Sequence, residues 1–366
     1  MDSMVSGAST GVSPDEKRVT VGTRRPTTIL RVPDNGLTSS RPDAGTAETV
    51  AVVICAYTER RWTLLSQTVQ SVLGQRRPAD EVVLVIDHNP ALLARAAEAF
   101  RHVQVVANEE ANGLSGARNT GIRRSTAAIV AFVDDDAIAA TDWLERLLAV
   151  FEEPEVMGAG GTADPVWDGK RPRWLPEEFL WVVGASYRGL PVDVAPIRNP
   201  IGANMAFRRE AFDLAGRFTD GIGRVGRTPL GCEETEFTIR LRQAVPGAVV
   251  LYVPDARVAH HVAPDRGTWR YFASRCWAEG ASKALVTALV GAADGLSSER
   301  SYVGRTLPRG FVAGIADAAR GDRSGLGRSA ALFAGLAITT AGYVRGRFAT
   351  APSEARATRS VAKPGS

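Results

Sequence analysis

Cysteine is scarce in this chain, with only Cys55, Cys232 and Cys276 among 366 residues. Three distant cysteines form neither a disulfide framework nor a paired-cysteine zinc motif, so we expect a reducing, cytoplasmic environment. Long apolar runs are missing too, since no stretch reaches the about 18 continuous apolar residues of a membrane span. The first residues lack the apolar core of a secretory signal peptide. These absences disfavour an exported or membrane-spanning protein.

Excess charge is also lacking. The formal net charge is only +4 over the whole chain, which gives no indication of nucleic acid as a partner. Lysine is limited to four positions, Lys17, Lys170, Lys283 and Lys363. The small positive charge therefore does not imply a polyanionic partner.

The order of apolar segments predicts an α/β protein. Residues 1–48 have a Ser-, Thr-, Gly-, Pro- and Arg-rich composition without periodicity, so we expect a disordered leader. Helical segments with one apolar face then alternate with four apolar runs that are typical of buried strands: TVAVVICAY (49–57), EVVLVID (81–87), VQVVAN (103–108) and AAIVAFVDDD (127–136). This alternation predicts a Rossmann-like, mostly parallel sheet with helices on both faces.

Polar residues follow three of these strands. They are Tyr57 to Glu59 after the first strand, Asp87 and His88 after the second, and Asp134 to Asp136 after the fourth. Ligands of such sheets bind outside the carboxyl ends of the strands. We therefore expect these side chains to lie around one ligand site.

The Asp triplet indicates a cation. In an extended segment alternate residues point the same way, so Asp134 and Asp136 can face one ligand while Asp135 faces elsewhere. Two carboxylates can hold a divalent ion that neutralises the diphosphate of a nucleotide leaving group. A solvated acidic turn that caps the next helix explains the triplet equally well, but the position at a strand end favours the cation.

A glycine-rich segment at 108–125 is a weaker signal. Gly113, Gly116 and Gly121 would let the backbone approach a ligand, and Arg118 could reach a phosphate or a base edge. An ordinary loop leading into a helix, with Arg118 exposed, is the more common explanation of such a pattern.

Two later patterns could complete the same site. Glu233 and Glu234 are adjacent at the start of a predicted helix, where the helix dipole also favours acids. Each should raise the other's pKa, as a general base near neutrality requires. His260 or His261 could give a metal its third protein ligand, although a surface histidine pair is the commoner situation.

These segments occur in one order: VVICAYTE, VLVID, NGLSGARNTGI, FVDDDA, GANMAFRREAF, CEETEF and VPDARVAHH. Their order and spacing resemble those of the family 2 glycosyltransferases over about residues 50–285. The resemblance implies the GT-A fold at 49–290, with a nucleotide-binding half at 49–151 and an acceptor-binding half at 152–290. It leaves a helical, basic, partly disordered C-terminal extension at 291–366.

The resemblance also implies a set of contacts to a nucleotide-sugar donor. Tyr57 matches an aromatic residue that stacks on the base, and Arg118 matches an arginine near the nucleotide. Asp87–His88 departs from the family's usual Asp pair, but a neutral imidazole can still accept a hydrogen bond from the base. The complete implied set is Ala56, Tyr57, Glu59, Asp87, His88, Gly116, Arg118, Asp134, Asp135, Gly202, Ala203 and Asn204.

The chemistry is implied in the same way. Asp134 and Asp136 match the family's Asp-x-Asp motif, and His260, with His261 as the alternative, would close the site around Mn²⁺ or Mg²⁺. Glu234 occupies the position of the catalytic base. The implied reaction of this hexosyltransferase type is a single displacement with inversion, in which Glu234 deprotonates an acceptor hydroxyl and the metal stabilises the departing nucleoside diphosphate.

Two other functions compete with this interpretation. A catalytically silent relative could bind nucleotide or glycan as a partner subunit, although it would not need Asp134, Asp136, Glu234 and His260 together. An Asp-dependent phosphotransferase would want a supporting lysine, and the four lysines include no obvious partner.

The acceptor is the least defined part. Trp167, Trp174, Trp181 and Tyr187 could stack on sugars or fill a core. The apolar segment 326–347, flanked by arginines, could lie at the inner face of the cell membrane or pack against the catalytic domain. We expect a glycan, a lipid-linked sugar or a small molecule as acceptor, as in cell-envelope polysaccharide, glycolipid or secondary-metabolite glycosylation.

Overall fold

A mixed sheet of nine strands runs through the computed structural model, which describes residues 48–224, 231–291 and 302–350. The predicted leader 1–48 lies outside the described residues except for Glu48. The strands are β1 Val50–Ala56, β2 Glu81–Ile86, β3 Gln104–Ala107, β4 Ile129–Asp134, β5 Ala137–Ala139, β6 Val156–Trp167, β7 Ala195–Pro196, β8 Asn204–Arg208 and β9 Val249–Val262. All four strands predicted from the apolar runs are confirmed.

The strand order places the predicted ligand residues at the same side of the sheet, where the parallel strands have their carboxyl ends. The sheet runs β3-β2-β1-β4-β8-β6-β9-β5, and β7 pairs with β9. β1 pairs in parallel with β2 and β4, and β2 pairs in parallel with β3. β8 joins β4 antiparallel, and the second half of the sheet is mixed. The α/β fold class is confirmed, with the parallel arrangement confined mainly to the first half.

The helices cover both faces. They are α1 Trp62–Leu73, α2 Pro90–Ala99, α3 Leu114–Arg124, α4 Trp143–Leu148, α5 Arg209–Ala215, α6 Glu233–Ala244, α7 Trp269–Val290, α8 Leu307–Ala319 and α9 Ser324–Thr350. Because side chains alternate along a strand, Val52 and Ile54 of β1 join one core while Val53 joins the core on the other face. Both faces of β1 are therefore buried, which explains its continuous apolar sequence.

The glycine-rich segment is a loop up to Gly113 and then forms helix α3, so the expected loop leading into a helix is confirmed, whereas Arg118, expected to be exposed, is buried. A Cβ added to Gly116 would lie 2.0 Å from the carbonyl oxygen of Ala111, and one added to Gly121 would lie 2.3 Å from Cγ1 of Val53. Glycine disfavours helices by about 1 kcal/mol. Here close packing against β1 and the preceding turn overrides that preference, and Gly116 serves the packing rather than ligand contact.

A third core joins the C-terminal helices to the catalytic part of the chain. It includes Phe179, Phe272, Leu307 and Leu332. The four aromatic residues Trp167, Trp174, Trp181 and Tyr187 pack against it. Among the described helices, none has the length and hydropathy together that would let it cross a bilayer. The helical C-terminal region is confirmed, whereas the boundary at residue 290 stays a prediction.

Candidate active site

A cavity of about 970 Å³ opens at the carboxyl ends of β1, β2 and β4. Nine of the predicted donor contacts line it: Ala56, Tyr57, Asp87, His88, Arg118, Asp134, Asp135, Gly202 and Ala203. Asp136, Glu234 and His260 line the same cavity. The parallel strands thus bring together residues that are up to about two hundred positions apart in the sequence.

Asp134, Asp136 and His260 form a group that fits a divalent cation. One oxygen or nitrogen from each residue lies within 4.8 Å of the others. Nε2 of His260 is 3.3 Å from Oδ1 of Asp136. Nδ1 of the buried His260 has no hydrogen-bond partner among the described residues. Two carboxylates and an imidazole are a suitable donor set for Mn²⁺ and acceptable for Mg²⁺.

The local sequence sets this geometry. Asp134 ends β4, and the chain turns at Asp135 and Asp136 before β5. His260 on β9 is paired with Ala137 on β5, directly after the triplet. Antiparallel pairing of β5 with β9 therefore fixes the imidazole beside Asp136.

Two arginines that sequence reasoning missed surround the triplet. Arg61 Nη1 lies 2.7 Å from Oδ1 of Asp135 and 3.0 Å from Oδ2 of Asp136, and Arg266 Nη2 lies 3.6 Å from that second oxygen. Burial would raise the pKa of Asp136, but His260, Arg61 and Arg266 outweigh burial and hold that pKa well below its usual range. Burial raises the pKa of Asp135 to about 6, because Arg61 compensates only in part.

Arg118 connects the triplet to helix α6. Its buried guanidinium donates to Oε1 of Glu233 at 2.7 Å and to the carbonyl oxygen of Gly202 at 2.9 Å. It also lies 3.5 Å from Oδ1 of Asp134. Its partners in the described structure are protein groups, so the predicted contact of Arg118 with the nucleotide stays a prediction.

Glu234 is the carboxylate of α6 that remains available to a substrate. Cys232, in the left-handed region with φ of 75°, turns the chain into the helix. Arg118 engages Glu233, whereas Glu234 forms no ion pair among the described residues and lines the cavity. Burial and the neighbouring Glu233 raise the pKa of Glu234 well above its ordinary value, against the influence of Arg118. A carboxylate of this kind is a competent proton acceptor near neutrality.

The end of β2 forms a rigid corner of the site. Asp87 accepts hydrogen bonds from Asn108 at 2.7 Å and from the backbone of Gly113 at 3.0 Å. Nδ1 of His88 lies 2.8 Å from Oδ1 of Asp87. Tyr57 also lines the cavity and is 44% exposed, with the guanidinium carbon of Arg61 5.8 Å from the centre of its ring.

Comparison with known proteins identifies the family. The family described as "Glycosyl transferase family 2" matches residues 51–215. A "Glucosyl-dolichyl phosphate glucuronosyltransferase" from Haloferax volcanii is 34% identical over 244 residues, covering 66% of this chain and 78% of that relative. The chain belongs to glycosyltransferase family 2. The resemblance seen in the sequence motifs is thereby confirmed.

Further relatives agree with this assignment. The family 2 glycosyltransferase is 30% identical over 244 residues to the "Succinoglycan biosynthesis protein ExoM" of Rhizobium meliloti, covering 63% of this chain and 72% of that protein. The mannosyltransferase PcManGT from Pyrobaculum calidifontis, solved with GDP-Man and Mn²⁺, superposes with a TM-score of 0.51 at 20% identity, covering 82% of this chain and 89% of that one. This likeness supports the GT-A fold.

Four predicted contacts of the glycosyltransferase do not line the cavity as it is described. Glu59 is exposed in the short 3₁₀ turn Glu59–Arg61, and Gly116 packs inside α3. His261 points to the other side of β9, where its Nδ1 lies 3.1 Å from Oδ1 of Asp168, so His260 is the histidine of the cluster. The fourth residue, Asn204, is treated next.

The side chain of Asn204 connects three elements of the fold and does not line the cavity. Its fully buried amide accepts from the indole of Trp143 at 2.8 Å. It donates to the carbonyl oxygens of Thr162 at 2.9 Å and Ala256 at 2.8 Å. These bonds join α4, β6 and β9 behind the predicted turn at Gly202 and Ala203. In this structure the side chain of Asn204 bonds to protein groups, and its role beside the donor stays a prediction.

Part of the cavity lining comes from outside the nucleotide-binding half. Trp181 and Tyr187, which the sequence offered as sugar-stacking or core residues, line the cavity together with residues of the C-terminal region that no motif indicated: Tyr302, Leu336, Thr339 and Tyr343. Arg275 and Lys283 of α7 also lie there, on either side of Glu279 at 3.7 and 3.4 Å. The C-terminal helices of this glycosyltransferase therefore contribute directly to its cavity.

Proposed function

We propose that this enzyme transfers a sugar from a nucleotide-sugar donor to a hydroxyl acceptor with inversion, and that Mn²⁺ or Mg²⁺ is its cofactor. The observation that carries the proposal is the common cavity of the Asp134–Asp136–His260 group and Glu234. The proposed cation ligands lie at the carboxyl end of β4 and on β9, and the proposed proton acceptor lies at the start of α6. A donor diphosphate and an acceptor hydroxyl can be bound between them.

On the donor side, Asp134, Asp136 and His260 would hold the cation. When bound, a divalent cation neutralises the negative charge of a departing diphosphate. Tyr57 and the Asp87–His88 corner are placed to receive the base, while Gly202 and Ala203 provide backbone beside the sugar. Arg61 and Arg266 lie close enough to the triplet to meet diphosphate oxygens.

On the acceptor side, Glu234 removes the proton from the attacking hydroxyl. Glu233 is unsuited to this task because Arg118 already holds it as an ion pair at 2.7 Å. That same pair fixes the start of α6, so Arg118 and Glu233 position the base. A single displacement of this type inverts the configuration at the sugar carbon.

The acceptor belongs to cell-envelope polysaccharide, glycolipid or secondary-metabolite synthesis in this proposal. Two relatives support the first two classes by name, one as a glucosyl-dolichyl phosphate glucuronosyltransferase and one as a succinoglycan biosynthesis protein. The scarcity of cysteine supports a cytoplasmic location. Peripheral membrane contact through 326–347 is part of the same proposal.

Adjacent histidines offer a matched test. We expect calorimetry to show that a nucleotide sugar binds the wild-type enzyme in a Mn²⁺-dependent manner, across a panel that includes uridine, guanosine and other donors. His260→Ala should weaken the Mn²⁺-dependent binding by more than about tenfold. His261→Ala, one residue away on the opposite side of β9, should bind like the wild type. The proposal fails if no donor of the panel binds with cation dependence, or if both variants behave alike.

A further inference from the structure

Helix α9 has one face that no described residue covers. Its opposite face is buried against α7 and α8, where Gly325 and Gly342 let the helices approach closely. The uncovered face repeats at intervals of three or four residues, as a helical stripe requires. Its members are all apolar and all exposed: Leu326, Ala330, Phe333, Ala337, Ala341, Val344 and Phe348. At 1.5 Å per residue this stripe is about 33 Å long.

The exposure of the largest members is high for a folded protein. Phe333 is 72% exposed and Phe348 is 76% exposed. The neighbouring α8 adds Phe311, Val312 and Ile315, which are 43%, 65% and 44% exposed. Contiguous apolar surface of this extent marks an interaction site more often than a random surface.

The charge of this region distinguishes between two occupants. Residues 302–350 contain seven arginines and two aspartates, a net charge of +5. Both aspartates, Asp317 and Asp322, are already paired with Arg328 at 2.7 and 2.9 Å. Exposed Arg345 and Arg347 lie next to Val344 and Phe348 at one end of the stripe. A second copy of the chain would bring like charges together, whereas an anionic lipid surface is complementary.

The catalytic cavity opens beside this stripe. Thr340 is exposed between Ala337 and Val344 and also lines the cavity. Val303, 37% exposed, lines the cavity as well. The cavity wall behind them is apolar and aromatic, formed by Leu336, Tyr343 and their neighbours. The cavity therefore reaches the surface of the protein beside the exposed face of α9.

We infer that the exposed stripe of α9 docks the enzyme on an anionic membrane surface and turns the mouth of the cavity towards the lipid. This deepens the proposed function and rests on it, since the acceptor hydroxyl would then be carried on a lipid. Apolar side chains enter the headgroup boundary while arginines meet lipid phosphates, as in interfacial amphipathic helices.

Vesicle flotation of the full chain tests the inference. We expect the wild type to float with vesicles that contain phosphatidylglycerol, less so at high salt, and weakly with phosphatidylcholine alone. The double variant Phe333→Asp/Phe348→Asp should bind these vesicles at least about tenfold less, because two phenyl rings that would be buried among the lipids are replaced by carboxylates. Leu214→Asp, which changes a 50% exposed leucine on α5, should float like the wild type.

Two controls separate the outcomes. Calorimetric donor binding with Mn²⁺ should be equal in the wild type and the double variant, which shows that the fold and donor site are intact. If neither the wild type nor the double variant binds the donor, the proposed function is refuted, while the flotation result still decides whether α9 docks on the membrane. Docking is overturned if the wild type does not float with phosphatidylglycerol vesicles. It is also overturned if light scattering shows a dimer that the double variant dissociates, because the stripe would then be a contact between copies.

Discussion

At the scale of single residues, two neighbouring glutamates have different tasks. Glu233 is neutralised by Arg118, while Glu234 faces the cavity with a raised pKa. Sequence reasoning predicted the mutual effect of the pair, because adjacency alone requires it. It did not predict which partner would remove one of the two from the chemistry, since Arg118 lies more than a hundred positions earlier.

Replacement of Glu234 tests this division of tasks. Glu234→Gln should reduce kcat by about 10²–10⁴-fold, because the amide cannot accept the proton. Donor binding measured by calorimetry should remain. In the wild type, kcat/KM should fall as the pH decreases through the raised pKa of Glu234, hence at a pH well above the usual carboxyl range.

The control for this replacement is Glu210→Gln on α5, an exposed carboxylate that should keep full activity. Stability gives an independent readout. A carboxyl whose pKa is raised by folding makes the folded state lose stability as the pH rises through that pKa. Glu234→Gln should therefore melt at the same or a higher temperature near neutrality. Near wild-type turnover by this variant would exclude Glu234 as the base.

The residues missed from the sequence share one property. Arg61 and Arg266 reach Asp136 from segments that are far from it in the chain. No local pattern marks an arginine that will pair with a distant carboxylate. The residues proposed to hold the cation could be predicted because strand ends converge at one edge of a sheet, and the family resemblance agreed with them. Side-chain partners such as these depend on the packed structure itself.

At the scale of elements, continuous apolar runs predicted the strands, and an apolar repeat along one face predicted the helices. β1, β2, α1 and α2 form where these patterns indicated. Helix α3 has no such repeat, because eight successive residues, Ser115–Ile122, are buried among protein groups of mixed character. Its glycines resemble a loop in the sequence and serve close packing in the structure.

A glycine substitution tests the packing role within α3. Gly116→Ala should lower the free energy of unfolding by about 1–3 kcal/mol, because the new methyl would meet the carbonyl oxygen of Ala111 at 2.0 Å. Urea denaturation measures the change. Gly169→Ala is the matched control, since a Cβ there meets no atom within 4 Å. Equal stability of both variants would exclude the proposed packing role of Gly116.

At the scale of the whole molecule, the C-terminal helices are part of the catalytic unit. α9 contacts α7 so closely that a Cβ on Gly280 would lie 2.0 Å from the carbonyl oxygen of Thr339 and 2.6 Å from the backbone nitrogen of Tyr343. Thr339 and Tyr343 line the cavity. Packing of α9 on α7 therefore fixes one wall of the cavity.

A point substitution tests this coupling better than truncation, which would expose the core around Phe179 and Phe272. Gly280→Val should lower the free energy of unfolding by about 1–3 kcal/mol and reduce transfer, because it forces α9 away from α7. Thermal melts and donor turnover provide the two readouts. Ala288→Val, at an exposed position of the same helix, controls for the β-branched side chain. Unchanged turnover in a destabilised Gly280→Val enzyme would uncouple α9 from the site.

The contribution of α9 to the cavity also has a consequence for how the protein is made. The residues proposed to hold the cation, and Glu234, are synthesised long before Leu336, Thr339 and Tyr343 leave the ribosome. Since these three residues of α9 line the cavity, a chain that stops before residue 336 would lack this part of its wall. The site therefore depends on complete synthesis of α9 as well as on the sheet.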